Sequence, residues 1–428
     1  MLRNRKRVVV TGYGMITPIG KNSQETFENA KNGVSGIDFL SSFETQGLPC
    51  RIGGQVDDSW LNAFPAQGLQ GIEKCNSRGL KLMISAVSEA VESARLNSIE
   101  NRDRIGVSLG YHGENPSVED MLTLYRYSGK DVWDIRGLTA NGVYSFFNFF
   151  RRKPDVATSI LSILFNCRGS NITTVSACAA GAQAIGEALG IIREGRADVM
   201  IAGGCESNLN FSGFIGFVLI RALSERYSSP EKASRPFERK RNGFVMSEGA
   251  GSLVLESLDH ALERKAPILA EVLGYGSSAD AFRITDIHPK GDGAVFAMQG
   301  ALADAGLAPE DIDYINAHGT STLQNDQIET LAIKRIWGER SKKIAVSSNK
   351  SMIGHTIAAA GAIEAGLTIM GLNASVLLPT INYEFPDPKC DLDYIPNLAR
   401  EQVHEIALSN SFGFGGQNAC LCFGKFRP

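Results

Sequence analysis

With 428 residues, a net charge of −3 and 21% charged residues, the chain has the make-up of an ordinary globular protein. That excludes binding to nucleic acid through bulk positive charge, and it excludes a disordered acidic tail. The length holds a large core in about two domains or one duplicated one. Eight scattered cysteines with no CxxC pair argue against a zinc site or a disulfide framework, so the expectation is no metal and a reducing cytoplasm.

The opening MLRNRKRVVVTGYG joins a basic head to an apolar run that breaks at Thr11–Gly12, too short for a signal-peptide core, and reads as a first strand and a glycine turn. A polar helix is predicted near Gln24–Lys31, an irregular stretch over Phe39–Phe64, an amphipathic helix over Lys81–Leu96 and a strand over Arg104–Leu109. Glu114–Lys153, with paired phenylalanines at 146–147 and 149–150, reads as a helical excursion. It ends in Arg151, Arg152 and Lys153, the densest positive run in a slightly acidic chain. Such a cluster can steer an acidic partner, or it can simply be a solvated helix end. Asp155–Phe165 is apolar at helical spacing.

Asn171–Ser176 is a β-branched run, and from Ala179 the composition turns to helix formers. Cys178 falls at the junction, among Ala177, Ala179, Ala180 and Gly181. Small neighbours leave room for a bend and for a substrate, and a helix N-terminus favours the thiolate, which is how a nucleophile is built. The plain alternative is a buried core cysteine. Val199–Gly204 reads as a strand, followed by a loop rich in Gly and Phe. No stretch approaches the roughly 20 apolar residues of a membrane span.

After Leu258–Arg264 the pattern starts again. Ile268–Asp280 echoes the first strand and its GYG; Ile312–Thr322 echoes Arg104–Asn115, a strand and a His-Gly turn. Lys343–Ala365 echoes the Cys178 unit, and Gly415–Gly424 echoes Gly249–Ser257. The same order in both series implies two similar α/β halves, roughly 1–258 and 266–428.

Two of the histidines lie at small-residue turns of the second half: His318 in NAHGTST, and His355 in NKSMIGHTIAAAG, five residues after Lys350. Thr320 and Thr322 can hydrogen-bond nearby groups. If the halves pack about a pseudo-twofold axis, these turns converge on Cys178, and a cysteine facing two histidines fits acyl transfer. Taken singly, each histidine reads as structural, as do His112, His260, His288 and His404. Ser409–Ala419, SNSFGFGGQNA, has no Lys-Ser/Thr pair and is not a phosphate loop. It is either a plain turn or a mobile loop that supplies an N–H to an oxyanion while a phenylalanine gates a pocket.

Cys178 in SACAAGAQAIGEA, His318, Lys350, His355, the SNSFGFGG loop and RPFERKRNGFVMSEGAG, in this order along nearly the whole chain, resemble the elongating β-ketoacyl-acyl-carrier-protein synthases. The resemblance implies a thiolase-like α/β fold, a duplicated αβαβα arrangement, usually as a homodimer. It implies that Cys178 takes an acyl chain from the phosphopantetheine thioester of acyl carrier protein. Malonyl-carrier protein is then decarboxylated and its enolate attacks the acyl-cysteine. No cofactor, nucleic acid or membrane insertion is implied. The N–H groups of Cys178 and Phe414 would form the oxyanion hole, with Phe412 and Phe414 in the gating loop. His318 and His355 would stabilise the enolate, Lys350 would set the field, and Glu329 matches the family's buried supporting acid, with Thr320 and Thr322 in the same supporting layer.

Leu323 and Gln417 replace the family's usual Pro and Thr, and SLGYHGEN replaces a glycine-richer turn. Tyr111 and His112 are therefore expected to reshape the acyl pocket. These departures bear on the substrate and leave the chemistry alone. A thiolase would need a second cysteine in the C-terminal loop, where this chain has phenylalanines. An initiating synthase would pair Cys with His and Asn, and a chain-length-factor subunit would lack Cys178. A catalytic subunit of a heterodimeric polyketide or polyene synthase stays open, as does the expectation that Arg151, Arg152 and Lys153 receive the carrier protein.

Overall fold

The computed structural model describes residues 5–61, 77–129, 132–140 and 143–427. Positions 62–64 of the stretch read as irregular, and 130–131 and 141–142 of the excursion, lie outside the described residues.

Unbroken apolar and β-branched runs become ten strands of one sheet. They are β1 (Val8–Ile16), β2 (Ile105–Gly110), β3 (Asn171–Thr174), β4 (Val199–Glu206) and β5 (Gly249–Ser257), then β6 (Ala270–Ala279), β7 (Tyr314–Asn316), β8 (Ala345–Ser347), β9 (Ile406–Phe412) and β10 (Gln417–Gly424). Across the sheet they run β8-β7-β9-β10-β6-β1-β5-β4-β2-β3. From the centre outward, β1-β5-β4-β2-β3 matches β6-β10-β9-β7-β8, with the same alternation of two antiparallel and then two parallel pairings. β1 and β6 join the two runs through Val9↔Glu271 and Val10↔Ala270.

Five helices build the layers: α1 (Arg78–Ser93), α2 (Ala180–Arg193), α3 (Asp292–Ala305), α4 (Leu323–Trp337) and α5 (Ala360–Ala374). α2 and α5 pack on each other between the two runs of strands, α1 covers β1 and β5, and α3 covers β6 and β10. The repeated GYG has a steric reason. A Cβ at Gly12 would sit 2.3 Å from the Ala90 carbonyl of α1, and one at Gly274 would sit 2.3 Å from the Ala301 carbonyl of α3. Each glycine lets a helix lie directly on its strand. Ile357–Ala374 is long and apolar enough to cross a membrane, yet it is a middle-layer helix with 89% of that window buried.

The excursion is helical over Val118–Arg126, Ile135–Thr139 and Phe146–Phe150 and runs into the helix Pro154–Leu164. One sequence expectation fails: the Gly- and Phe-rich loop after β4 is the helix Phe211–Leu219. Asn210 caps it, its side chain accepting the Gly213 N–H at 3.0 Å, and Phe214 is anchored in the core. Cap and anchor outweigh the low helix propensity of the glycines.

Candidate active site

The turn between β3 and α2 is tight because Ala177 adopts φ = +48°, a left-handed conformation that costs a non-glycine residue about 1–2 kcal/mol. It carries Cys178 into the interior, 1% exposed, on a 3₁₀ turn that feeds α2. The thiol does not behave as a helix terminus alone would dictate. Burial pushes its pKa up to about 11, against the opposing N–H groups of Phe414 and Cys178 and the Lys350 charge. The sequence argument for a ready thiolate therefore fails, because desolvation of a fully enclosed sulfur exceeds the end effect of one helix.

Two turns of the second half meet this sulfur. β7 ends at Asn316, and the following loop is pinned by Glu329 of α4. One carboxylate oxygen accepts the His318 N–H at 2.8 Å, the other the Gly319 N–H at 2.8 Å, and Asn410 Nδ2 adds a third donor at 3.1 Å. Glu329 is 1% exposed, so it is a buried support and not a solvated helix residue. β8 leads to the short helix Lys350–Ile353, and Gly354, at φ = +72°, turns the chain to His355. The His355 N–H is fixed on the Val245 carbonyl at 2.7 Å.

His355 Nε2 then lies 3.1 Å from Cys178 Sγ. The His318 and His355 rings are 5.2 Å apart at 83°, and one ligating atom from each of Cys178, His318 and His355 falls within 4.8 Å of the others. Burial, reinforced by the Lys350 charge, holds both imidazoles well below their ordinary pKa, so both are neutral near pH 7. Nδ1 of each ring has no hydrogen-bond partner, which leaves either tautomer open. Lys350 lies behind them, 1% exposed, in an ion pair with Glu364 of α5. Burial raises Glu364 to about 7 although Lys350 pulls it down.

A cavity of about 300 Å³ reaches this cluster, walled by Phe412 and Phe414 on one side and by Thr320 and Thr322 on another. The two threonines, linked Oγ1 to Oγ1 at 2.9 Å, thus stand on the route to the sulfur and not behind the histidines. Phe412 is 4% exposed and packs on His318 with ring centres 5.8 Å apart. Phe414 is half-buried against the cluster that includes Cys178, with its ring 6.2 Å from those of Phe217 and Phe244.

Tyr111 and His112 do not line this cavity. Tyr111 is buried in the core with α1, its hydroxyl so close to Gly79 that a Cβ there would lie at 2.3 Å. His112 faces Glu206 and the Ala177 carbonyl. The basic cluster is only partly free. Arg151 and Arg152 turn in to Asp120, itself 5% exposed, while Arg152 also stacks on Tyr144 and Lys153 lies over Phe149. Asp120 pairs with both arginines and so ties the ends of the excursion together, while Lys153 stays exposed. Sequence reasoning passed over Glu364, for which there was a signal. It is the lone ionisable residue of the apolar helix Ala360–Ala374, and a buried carboxylate needs a cationic partner.

A family model described as Beta-ketoacyl synthase, N-terminal domain, matches residues 5–261, and one described as Beta-ketoacyl synthase, C-terminal domain, matches residues 269–384. The chain is 42% identical over 426 residues to a 3-oxoacyl-[acyl-carrier-protein] synthase 2 of Synechocystis sp., spanning 99% of each. It superposes on a beta-ketoacyl synthase from Burkholderia phymatum with a TM-score of 0.87 at 34% identity, over 99% of this chain and 100% of that one. A second solved structure, a type II PKS acyl-carrier protein in complex with its ketosynthase, gives 0.86 at 33% identity, over 99% of this chain and 100% of the matched one.

Proposed function

The chain belongs to the β-ketoacyl synthase family, and from that premise we propose that it joins an acyl group carried on Cys178 to a malonyl unit, giving a 3-oxoacyl thioester on acyl carrier protein. The observation that carries this reading is the Cys178–His318–His355 cluster, within 4.8 Å, at the end of a cavity of about 300 Å³. In the first step Sγ attacks the acyl thioester while its proton passes to His355 Nε2, 3.1 Å away, and on to the departing pantetheine thiolate. With the thiol's pKa raised to about 11, this transfer accompanies attack and does not precede it. The N–H groups of Cys178 and Phe414, already aimed at the sulfur, receive the oxyanion.

In the second step the malonyl carboxylate leaves as CO2, and the electron pair it releases becomes an enolate. Two neutral imidazoles, each able to turn an N–H toward the thioester oxygen, hold that charge without becoming charged themselves. The enolate carbon attacks the acyl carbonyl, the C–S bond to Cys178 breaks, and one proton restores the thiol. The substrates arrive on the phosphopantetheine of a carrier protein. Thr320 and Thr322 offer hydroxyls along the entry, and Arg221 is the one cation on the cavity wall among the described residues.

The chain works, in this reading, as a dimer of two copies. Among the described residues β3 ends the sheet with no strand on its outer side, and Val175 beyond it is 61% exposed. The excursion leading into it leaves Tyr125, Trp133 and Phe146 exposed by 76%, 52% and 65%. An open strand edge beside apolar surface is what a partner strand covers.

The test is to feed acyl- and then malonyl-carrier protein to the wild type. The expected result is an acyl mass on the peptide containing Cys178, then CO2 and 3-oxoacyl-carrier protein in equal amounts, from a particle sedimenting as a dimer. Acylation without CO2 release would overturn the condensation. Activity only after adding a second, different chain would favour a polyketide-type heterodimer.

A further inference from the structure

The two imidazoles that share the enolate oxygen stand on different turns, and those turns leave neighbouring parallel strands. β7 and β8 pair as far as Asn316↔Ser347. The Ala317 N–H on the Ser347 carbonyl, at 2.8 Å, and Asn316 Nδ2 on Asn349 Oδ1, at 2.7 Å, close that ladder. Beyond it the chains part, one to His318 and the other through Lys350 to His355. His355 is then fixed from the first half of the molecule: its N–H donates to the Val245 carbonyl at 2.7 Å, and its carbonyl accepts the Ser247 N–H at 3.0 Å. His318 is held differently. Glu329 takes the N–H groups of His318 and Gly319, which leaves the Gly319 carbonyl to be satisfied.

That carbonyl accepts the Ser348 hydroxyl at 2.7 Å, and no other donor among the described residues bonds to it. Ser348 is fully buried and is itself fixed. Its N–H donates to Thr380 Oγ1 at 3.0 Å, and its carbonyl accepts the Ser351 hydroxyl at 2.9 Å. Gly319, at φ = +32°, lies directly against it: a Cβ there would sit 2.6 Å from Ser348 Cβ. The His318–Gly319 turn is thus seated on Ser348 from one side and on Glu329 from the other. We propose that Ser348 is a positioning residue for His318, tying this turn to the one that carries Lys350 and His355 so that both imidazoles face a single oxygen. Two donors to one oxygen need matched distances, and a displacement of about 1 Å can cost about a hundredfold in rate.

This inference rests on the decarboxylation step proposed above, and its test separates the two. Wild type, Ser348→Ala and Ser351→Ala are compared. Each variant loses one buried hydroxyl from the same turn, but Ser351 bonds the Ser348 carbonyl and the Ile381 N–H, at 3.1 Å, and makes no hydrogen bond to the His318 turn. One measurement is acylation of Cys178 by acyl-carrier protein, which draws on Cys178 and His355. The other is CO2 release from malonyl-carrier protein by the acylated enzyme, which draws on both imidazoles. Ser348→Ala is expected to slow CO2 release at saturating substrate about tenfold to a hundredfold, with KM for malonyl-carrier protein and the acylation rate near wild type. Ser351→Ala should keep CO2 release close to wild type, although it too gives up buried hydrogen bonds. Unchanged CO2 release in Ser348→Ala, an equal loss in Ser351→Ala, or a matching loss of acylation would each overturn the positioning role. A wild type that acylates Cys178 yet releases no CO2 would instead bring down the two-histidine reading itself.

Discussion

Two strand–turn–helix units face each other across the middle of the molecule, β3 into α2 and β8 into α5, and they share a backbone but not a task. In both, a non-glycine residue in the left-handed region precedes the helix, Ala177 at φ = +48° and Ile357 at φ = +39°. In both, a short 3₁₀ turn follows, Ala177–Ala179 and Ile357–Ala359. Gly181 and Gly361 then let the two units touch: a Cβ on the first would meet the Ala358 carbonyl at 2.7 Å, and one on the second Ala182 Cβ at 2.7 Å. In this register Cys178 corresponds to Ala358 and Ala184 to Glu364. One copy of the turn holds the sulfur, and the other holds the charges and the imidazole that act on it. The outer edges differ as well. β8 is covered by the segment after α5, Val346 N–H bonding the Asp393 carbonyl at 2.8 Å, while among the described residues no strand pairs with the outer edge of β3. A duplicated fold supplies one geometry twice, and side chains and coverage divide the labour.

The sharpest way to break the comparison is to make the first unit like the second. Cys178→Ala should stop acyl transfer, a loss of about 10⁴-fold or more as for removal of other nucleophiles, with little change in melting temperature. In the wild type the acyl mass should map to Cys178; a label on Cys205 or Cys167 would place the nucleophile elsewhere. Iodoacetamide inactivation should keep accelerating with pH toward about 11, the value burial imposes on the thiol. A plateau near pH 7 would restore the helix-terminal thiolate.

The second unit is tested through its buried pair. Lys350→Met or Glu364→Leu alone should destabilise the protein by about 3–5 kcal/mol, because each leaves a partner unpaired in the interior, whereas the two together should cost far less. Denaturant titration measures all three. The pH dependence has a definite sign. Burial pushes Glu364 up to about 7 in the folded protein, from 4.5 for an ordinary glutamate. Between those values the folded state keeps a proton that the unfolded state has lost, so this group's contribution to stability falls as pH rises from about 4.5 to about 7. Glu364→Gln should flatten that slope; an unchanged slope would mean that another group sets it.

How much of this could be read from the sequence follows the same division. The strands, the two series of echoes and the meeting of Cys178 with His318 and His355 were legible because small-residue turns after apolar runs are local signals. Glu329 was legible only through the family resemblance, since nothing local says which face of α4 is buried. The thiolate was misread because burial is a tertiary property that outweighs a local dipole. The pairing of Arg151 and Arg152 was not legible for a similar reason. Their partner, Asp120, lies about thirty residues back, and charge density along the chain says nothing of pairing. Tyr111 and His112 fell beside the right turn but on the wrong side of it.

The contact between the units gives a smaller effect. Gly361→Ala should destabilise by about 1–3 kcal/mol, since Ala182 N, 2.8 Å from the new Cβ, is backbone and cannot step aside. Gly190→Ala, also on a helix but with nothing within 4 Å, should gain about 0.5–1 kcal/mol from helix propensity. If the two variants melted alike, the close approach of the units would be no constraint on the fold.

The smallest expected loss of stability is at Phe414, and it separates a gate from a wall. Phe414 stands between Gly413 and Gly415, the latter at φ = +95°, on the turn that joins β9 to β10. Its ring is half-buried and its aromatic neighbours are no nearer than 6.2 Å between centres. The ring packs against the cluster around Cys178 and Phe244 but is only partly buried, so Phe414→Ala should cost well below a core phenylalanine, about 1 kcal/mol. Phe412, at the end of β9 and 4% exposed, should cost the 3–5 kcal/mol of a core phenylalanine. The functional effects should run the other way. Phe414 lines the same cavity as Cys178 and the two histidines, and if it acts as a gate an incoming acyl chain would displace its ring. Removing the ring should let malonyl-carrier protein reach His318 and His355 before Cys178 is acylated, and this is measured as CO2 released without a matching 3-oxo product. A Phe414→Ala protein that melts several degrees lower, yet keeps CO2 and product in equal amounts, would make the ring part of the wall and put the control of substrate order elsewhere along the entry.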